Sequence, residues 1–139
     1  MNLLVPVDGS AHSLQAVRHA MALQKITSID IHLLNVQPGL LSGHAKMFVS
    51  EKQLHDYQRE EADKALQPAR ALLDAAKINY QHHIGVGAPA ETIVAFATEK
   101  HCDQIIMGAR GENALTKLIL GSVATQVIEL STVPVTLVK

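Results

Sequence analysis

The strongest constraint on this chain is an alternation. Short, largely apolar runs at Asn2–Val7, Asp30–Val36, Asn79–Val86, Asp103–Met107 and Pro134–Val138 are separated by segments with helical spacing. A short run with few polar residues suits a strand buried on both faces, as in a parallel sheet covered by helices. Strands alternating with helices give parallel pairing through right-handed crossovers. The five runs predict an α/β fold with a doubly wound parallel sheet in the order 3-2-1-4-5, one domain spanning 1–139.

The helices between the runs carry their own signals. Ser10 or Ser13 can cap a helix in which Leu14, Val17 and Met21 recur up to about Lys25. A long helix is expected over Glu51–Ala76, with Ala62, Ala65, Leu66, Ala69, Leu72, Leu73 and Ala76 on one side and Glu60 paired with Lys64 on the other. Pro68 inside it predicts a kink. Pro89 stands at the first position of the next helix, where its missing N–H costs nothing, and that helix keeps Ile93, Val94 and Ala97 on one face. Gly121-Ser122 opens the last helix, to about Leu130. Gln37–Ser50, with Pro38, Gly39 and Gly43, reads as a long loop, and a helical turn is expected within Ala114–Leu120.

Composition removes several function classes. Twelve Lys and Arg against thirteen Asp and Glu give a formal charge of -1, so the totals suggest no broad basic face for nucleic acid. Two Tyr, two Phe and no Trp are too few for a base-stacking platform. The single cysteine, Cys102, allows neither an internal disulfide nor a zinc site needing two thiolates, and is expected to be buried and inert. No apolar run approaches the ~20 residues of a membrane span, and Met1-Asn2-Leu3-Leu4 has no basic region of the secretory kind. These features favour the cytoplasm.

In a doubly wound sheet the ligand crevice lies beyond the C-terminal ends of the strands, at the switch point between strands 1 and 4. That brings Asp8-Gly9-Ser10 and Gly108-Ala109-Arg110-Gly111 across one crevice, with Val36-Gln37-Pro38 on its flank. Nine residues after Gly111 come Gly121 and Ser122. Glycines permit close backbone approach, and a helix N-terminus offers free amides and a favourable dipole to an anion. The same glycines could equally make a strand-to-loop turn and relieve crowding at a helix entry.

The pattern Gly-x2-Gly-x9-Gly-Ser after the fourth strand resembles the nucleotide-binding signature of the universal stress protein family. The resemblance covers the whole chain, through the opening VPVDGS, the LLNV strand, GVGAPAETI, IIMGARG, LGSVATQVI and the closing VPVTLV. It implies a small cytoplasmic, usually dimeric stress-response protein with a Rossmann-like, adenine nucleotide α-hydrolase-like three-layer sandwich. The intact signature implies the ATP-binding branch, with Mg2+ or Mn2+ carried on the phosphates. By position, Asp8 would contact the adenosine part and Val36 would line the adenine pocket, closed by Pro6 and Val7. Met107, Gly108 and Gly111 would flank ribose and phosphates. Gly121, Ser122 and Val123 would hold the phosphates through amides and the Ser122 hydroxyl. Arg110 sits inside the loop, where its charge could reach a phosphate or stay in solvent. Asp8 could instead be a turn or cap carboxylate, and Val36 simple core.

Other motifs weigh less. Gly85-x-Gly87-x-x-Ala90 formally fits a dinucleotide fingerprint, but it follows the edge strand, and Pro89 removes an amide from the helix start. No Gly-x4-Gly-Lys-Ser/Thr loop and no Gly-x-Ser-x-Gly elbow occurs. Among eight histidines, His82 and His83 point to opposite faces of a strand, while His12 and His19 lie two turns apart, so surface or half-buried roles are expected. No side chain of the crevice stands out as a base for phosphoryl transfer; Glu112, near the phosphate loop, reads better as a solvated residue. The expected function is nucleotide-dependent regulation through an unidentified protein partner, with nucleic acid and membrane excluded. A slow ATPase or phosphotransferase, or a nucleotide-free dimeric scaffold, is the alternative. The apolar fifth strand, Val133–Val138, ends at a sheet edge and is expected to pair with a second copy.

Overall fold

A computed structural model describes residues 1–39, 50–110 and 120–139. The elements run β1 (Asn2–Pro6), α1 (Ala11–Gln24), β2 (Asp30–Gln37), α2 (Glu51–Ala75), β3 (Tyr80–Val86), α3 (Pro89–Glu99), β4 (Gln104–Gly108), α4 (Ser122–Leu130) and β5 (Val135–Val138). All pairings are parallel and the order is β3-β2-β1-β4-β5, as the alternation predicts. Most of the expected loop at 37–50, most of the expected turn at 114–120, Gly111 and Glu112 lie outside the described residues.

Side chains alternate across the sheet and divide the interior in two. Leu3, Val5 and Val7 of the first run join Ile31, Leu33 and Ile106 beneath Ala16, Val17 and Ala20 of α1 and Leu66, Ala69 and Leu73 of α2. On the other face Leu4, Leu34, Ile105 and Met107 meet Ala90, Ile93 and Ala97 of α3 and Ala124 and Val127 of α4. Residues such as Leu3, Leu4, Leu33, Leu34, Ile105 and Ile106 are fully enclosed, which is why the central runs lack polar alternation.

Ser10 caps α1 by accepting the Ser13 amide at 3.2 Å, and Ser50 caps α2 in the same way from Gln53. Pro89 occupies the first turn of α3. Helix α2 continues through Pro68, with Leu66 and Ala69 on either side fully buried. Its buried stripe is Leu54, Gln58, Ala62, Leu66, Ala69 and Leu73. Ala76, expected on that stripe, is exposed because it forms the C-cap, beyond the last helical turn. The Glu60–Lys64 pair forms at 3.8 Å, but both partners are exposed and it contributes little.

Candidate functional site

The crevice is built where β1 and β4 end side by side. The chain leaves β1 through Val7-Asp8-Gly9, and Gly9 takes a φ of 85° that a side chain would resist. Asp8 Oδ1 accepts the Ser10 amide at 2.9 Å, so this carboxylate holds the turn that starts α1. The other expected role of Asp8, towards a ligand, rests on its remaining oxygen; the residue as a whole is exposed. The first turn of α1 then presses on Gly108. A Cβ there would stand 2.9 Å from the carbonyl carbon and oxygen of His12. Gly108 is therefore required by helix packing whatever the crevice holds.

From Gly108 the chain continues to Ala109, whose amide donates to the Val138 carbonyl at 2.9 Å and whose carbonyl accepts the Gly121 amide at 2.8 Å. The second bond docks the start of α4 beside the end of β4, so the N-termini of α1 and α4 flank Gly108-Ala109 from two sides. It also narrows the expected role of Gly121, because its amide is already engaged. Gly121 is the N-cap of α4 with φ -63° and ψ 152°, and no side chain caps that helix. The amides of Ser122 and Val123, and the exposed Ser122 hydroxyl, have no hydrogen-bond partner among the described residues. Two helix N-termini give the crevice a positive potential without a formal charge, and α4 has donors to spare.

The flank is polar and braced. Asn35, 4% exposed, donates from Nδ2 to the Val7 carbonyl at 2.9 Å and accepts from Gln37 Nε2 at 2.7 Å. Gln58, 6% exposed, reaches from α2 to the Pro38 carbonyl at 2.9 Å. The Gly87 amide bonds the Gln37 carbonyl at 2.9 Å. Gln37 was expected on this flank, but the roles of Asn35 and Gln58 went unnoticed in the sequence. Gln58 was visible as a polar residue inside the apolar stripe of α2, and Asn35 as the polar break in LLNV.

The remaining expected residues fall as follows. Val36 is half-buried and packs against the α3/α4 core, while Pro6 is half-buried at the end of β1. Val7 and Met107 are 3% and 6% exposed, so their side chains belong to the two cores and offer the crevice chiefly backbone. Val123 is half-buried against the α3/α4 core, and Arg110 is half-buried two residues past β4. Gly85 and Gly87, the glycines of the apparent dinucleotide fingerprint, serve packing. Added Cβ atoms would meet Thr92 at 2.8 and 2.9 Å, and β3 is indeed a sheet edge. Cys102 is buried and burial pushes its thiol pKa up, which suppresses the reactive thiolate. Among the described residues no group of three His, Cys, Asp or Glu side chains converges as metal ligands, and no helix is long and apolar enough to cross a membrane.

Known proteins share this architecture. The chain is 32% identical to Universal stress protein MJ0531 of Methanocaldococcus jannaschii, over 99% of this chain and 81% of that one. The solved structure of MJ0577, a universal stress protein of the same organism, superposes with a TM-score of 0.84 at 31% identity, covering 99% of this chain and 94% of the other. The fold is also that of a universal stress protein from Archaeoglobus fulgidus solved in complex with dAMP, at a TM-score of 0.73 and 23% identity, covering 100% of this chain and 98% of that one. The model of the universal stress protein family matches residues 1–139. The signature glycines, the sheet order and a match over the full length agree, and the chain belongs to the universal stress protein family.

Proposed function

We propose that the chain binds ATP in the crevice between β1 and β4 and acts as a nucleotide-dependent regulatory protein of the stress response in the cytoplasm. The observation that carries this reading is the start of α4, docked on Ala109 with the Ser122 and Val123 amides unpaired among the described residues, beside a second helix N-terminus. Such amides suit a phosphate chain better than a neutral ligand. Asp8 would accept from the adenosine hydroxyls, and Pro6 and Val36 would face the base. Gly108, Gly111 and Arg110 would line ribose and phosphates, beside the backbone of Val7 and Met107. A divalent cation, Mg2+ or Mn2+, would be held by the phosphates rather than by a cage of side chains.

The purified protein, denatured and examined by mass spectrometry, should release an adenine nucleotide, and calorimetry should favour ATP over inorganic phosphate or adenosine alone. Absence of nucleotide together with no heat on ATP titration would refute the reading. Phosphate release timed at known protein concentration separates a binder from an enzyme. Sustained turnover above ~1 s⁻¹, the low end of ordinary enzymes, would favour catalysis.

The assembly reading rests on β5. Among the described residues it pairs only with β4, and Val135 to Val138 are half-buried in one copy. Two copies pairing these edges about a two-fold axis would cover them. Light scattering is expected to give twice 15.0 kDa, and a monomer at ~100 μM would count against it, since interfaces of standard size hold at lower concentration.

A further inference from the structure

Strands β2 and β3 carry two histidines on the face covered by α3. His32 is 6% exposed, and its Nδ1 lies 3.1 Å from Nε2 of His83. The ring planes agree within 15° and the centroids are 5.4 Å apart. Rings with nitrogens at that contact distance can have centroids no farther apart than the contact plus the two centroid-to-nitrogen radii. The observed separation reaches that limit, so both nitrogens lie on the line joining the ring centres. The rings meet edge to edge in nearly one plane. This is an N–H···N hydrogen bond in which one imidazole donates and the other accepts. An ion on that line would need nitrogens about 4 Å apart, from ~2.0–2.1 Å per Zn–N bond. The pair is a site for protons.

His32 is buried and His83 half-buried, and the charges around them are uneven. The His83 ring tilts against Phe96 at 4.7 Å, and Lys100 Nζ stands 5.7 Å from the Phe96 centroid. From β1 the neighbour of His32 in register is Leu4, which cannot titrate. Asp30 on β2 favours a charged His32, whereas Lys100, at the end of α3, opposes a charge on either ring, and His82 on β3 opposes one on His83. Burial is the largest influence and holds both imidazoles below the ordinary histidine range.

We propose that the His32–His83 pair is an acid-sensitive latch that ties edge strand β3 and helix α3 to the sheet and releases them when the rings take up protons. A doubly protonated pair points an N–H from each ring at the other, so the hydrogen bond becomes a contact between like charges on one buried and one half-buried ring. β3 is the element most exposed to such a loss. Among the described residues it is hydrogen-bonded to β2 alone, and its Ile84 and Val86 are already 37% and 49% exposed. Its far end leads to the Gly87–Gln37 bond, so loosening reaches the backbone on the flank of the crevice. The sign follows from linkage. In the opened state each ring titrates near about 6.5, above its value in the closed state. Above that pH neither state binds the extra proton and the latch is at full strength. As the pH falls below it the open state gains protons first, and opening becomes easier by about tenfold per pH unit for each net proton.

Amide hydrogen exchange of the full chain, converted to protection factors from pH 7.5 to 5, tests this. Protection of residues 80–86 and of α3 should fall relative to β1 and β4 once the pH drops below about 6.5. In the H32Q/H83Q double variant this excess should vanish, while His82→Gln, on the opposite face, should retain it. A constant ratio between β3 and β1 across the range, or an excess that persists in the double variant, would overturn the latch. Should the double variant not fold, ring titrations of the wild-type protein by NMR decide. Midpoints below the ordinary histidine value support it, and midpoints at or above that value overturn it.

Discussion

Helices α1 and α4 both begin beside the end of β4, at Gly108 and Ala109, yet they begin differently. α1 starts from Ser10, whose hydroxyl accepts the Ser13 amide, and Asp8 secures the turn before it. Its first turn packs directly on Gly108. α4 starts from Gly121, which offers no side chain, and is docked through one backbone bond to Ala109. The contrast separates two uses of a helix N-terminus. At α1 the donors are partly satisfied by the protein's own side chains and the helix end is a structural joint. At α4 the donors of Ser122 and Val123 remain for something else. A glycine in the one case makes room for a helix, and in the other leaves room in front of one.

Three substitutions test that division. Gly108→Ala should have the largest effect, because its Cβ would meet the His12 backbone at 2.9 Å and rigid backbone cannot swing aside. A loss of ~1–3 kcal/mol of stability is expected by denaturant unfolding, the usual cost of overpacking. An unchanged midpoint would mean that α1 is not seated as described. Gly121→Val comes next and acts differently. With φ -63° and ψ 152° the backbone accepts valine without strain, so the fold should survive with only the modest loss of a poorer N-cap, while ATP affinity drops at least about tenfold, ~1.4 kcal/mol, in calorimetry. Equal affinity for ATP would remove the start of α4 from the site. Ser10→Ala is the mildest, costing ~1 kcal/mol of stability through the lost cap, with ATP affinity nearly unaltered. A large affinity loss with intact stability would reverse the assignment of the two helix ends.

Much of the fold was legible because its signals are local. Apolar runs, Ser10 as a cap and Pro89 at a helix start each depend on a few consecutive residues, and together they suit the sheet order 3-2-1-4-5 that the fold has. The crevice was legible as a place, because strand ends at the switch point follow from that order. Its internal wiring was not. Nothing near Gly121 in sequence says that its amide turns to Ala109, since that bond depends on how α4 lies against β4. The same holds for His32 and His83. His83 sits opposite Leu34 in the β2–β3 register, one step along the same face from His32, and register between strands linked by a long helix is not written in either strand. Gly108 was noticed as a place of close backbone approach, and the approach seen in the fold is to α1.

Ala109 is a single peptide unit with both of its polar ends committed, the carbonyl to Gly121 and the amide to Val138. Mechanically it is a rivet through two plates. The first turn of α4 and the last residues of the edge strand β5 cannot slide independently along β4, because one small residue fixes the gauge between them. Any event that displaces one of them by more than a hydrogen bond's tolerance must either drag the other or shear the rivet. The rim of the crevice and the outer seam of the sheet, which also meet in the core where Val123 and Val127 lie with Val135 and Leu137, are thereby geared together.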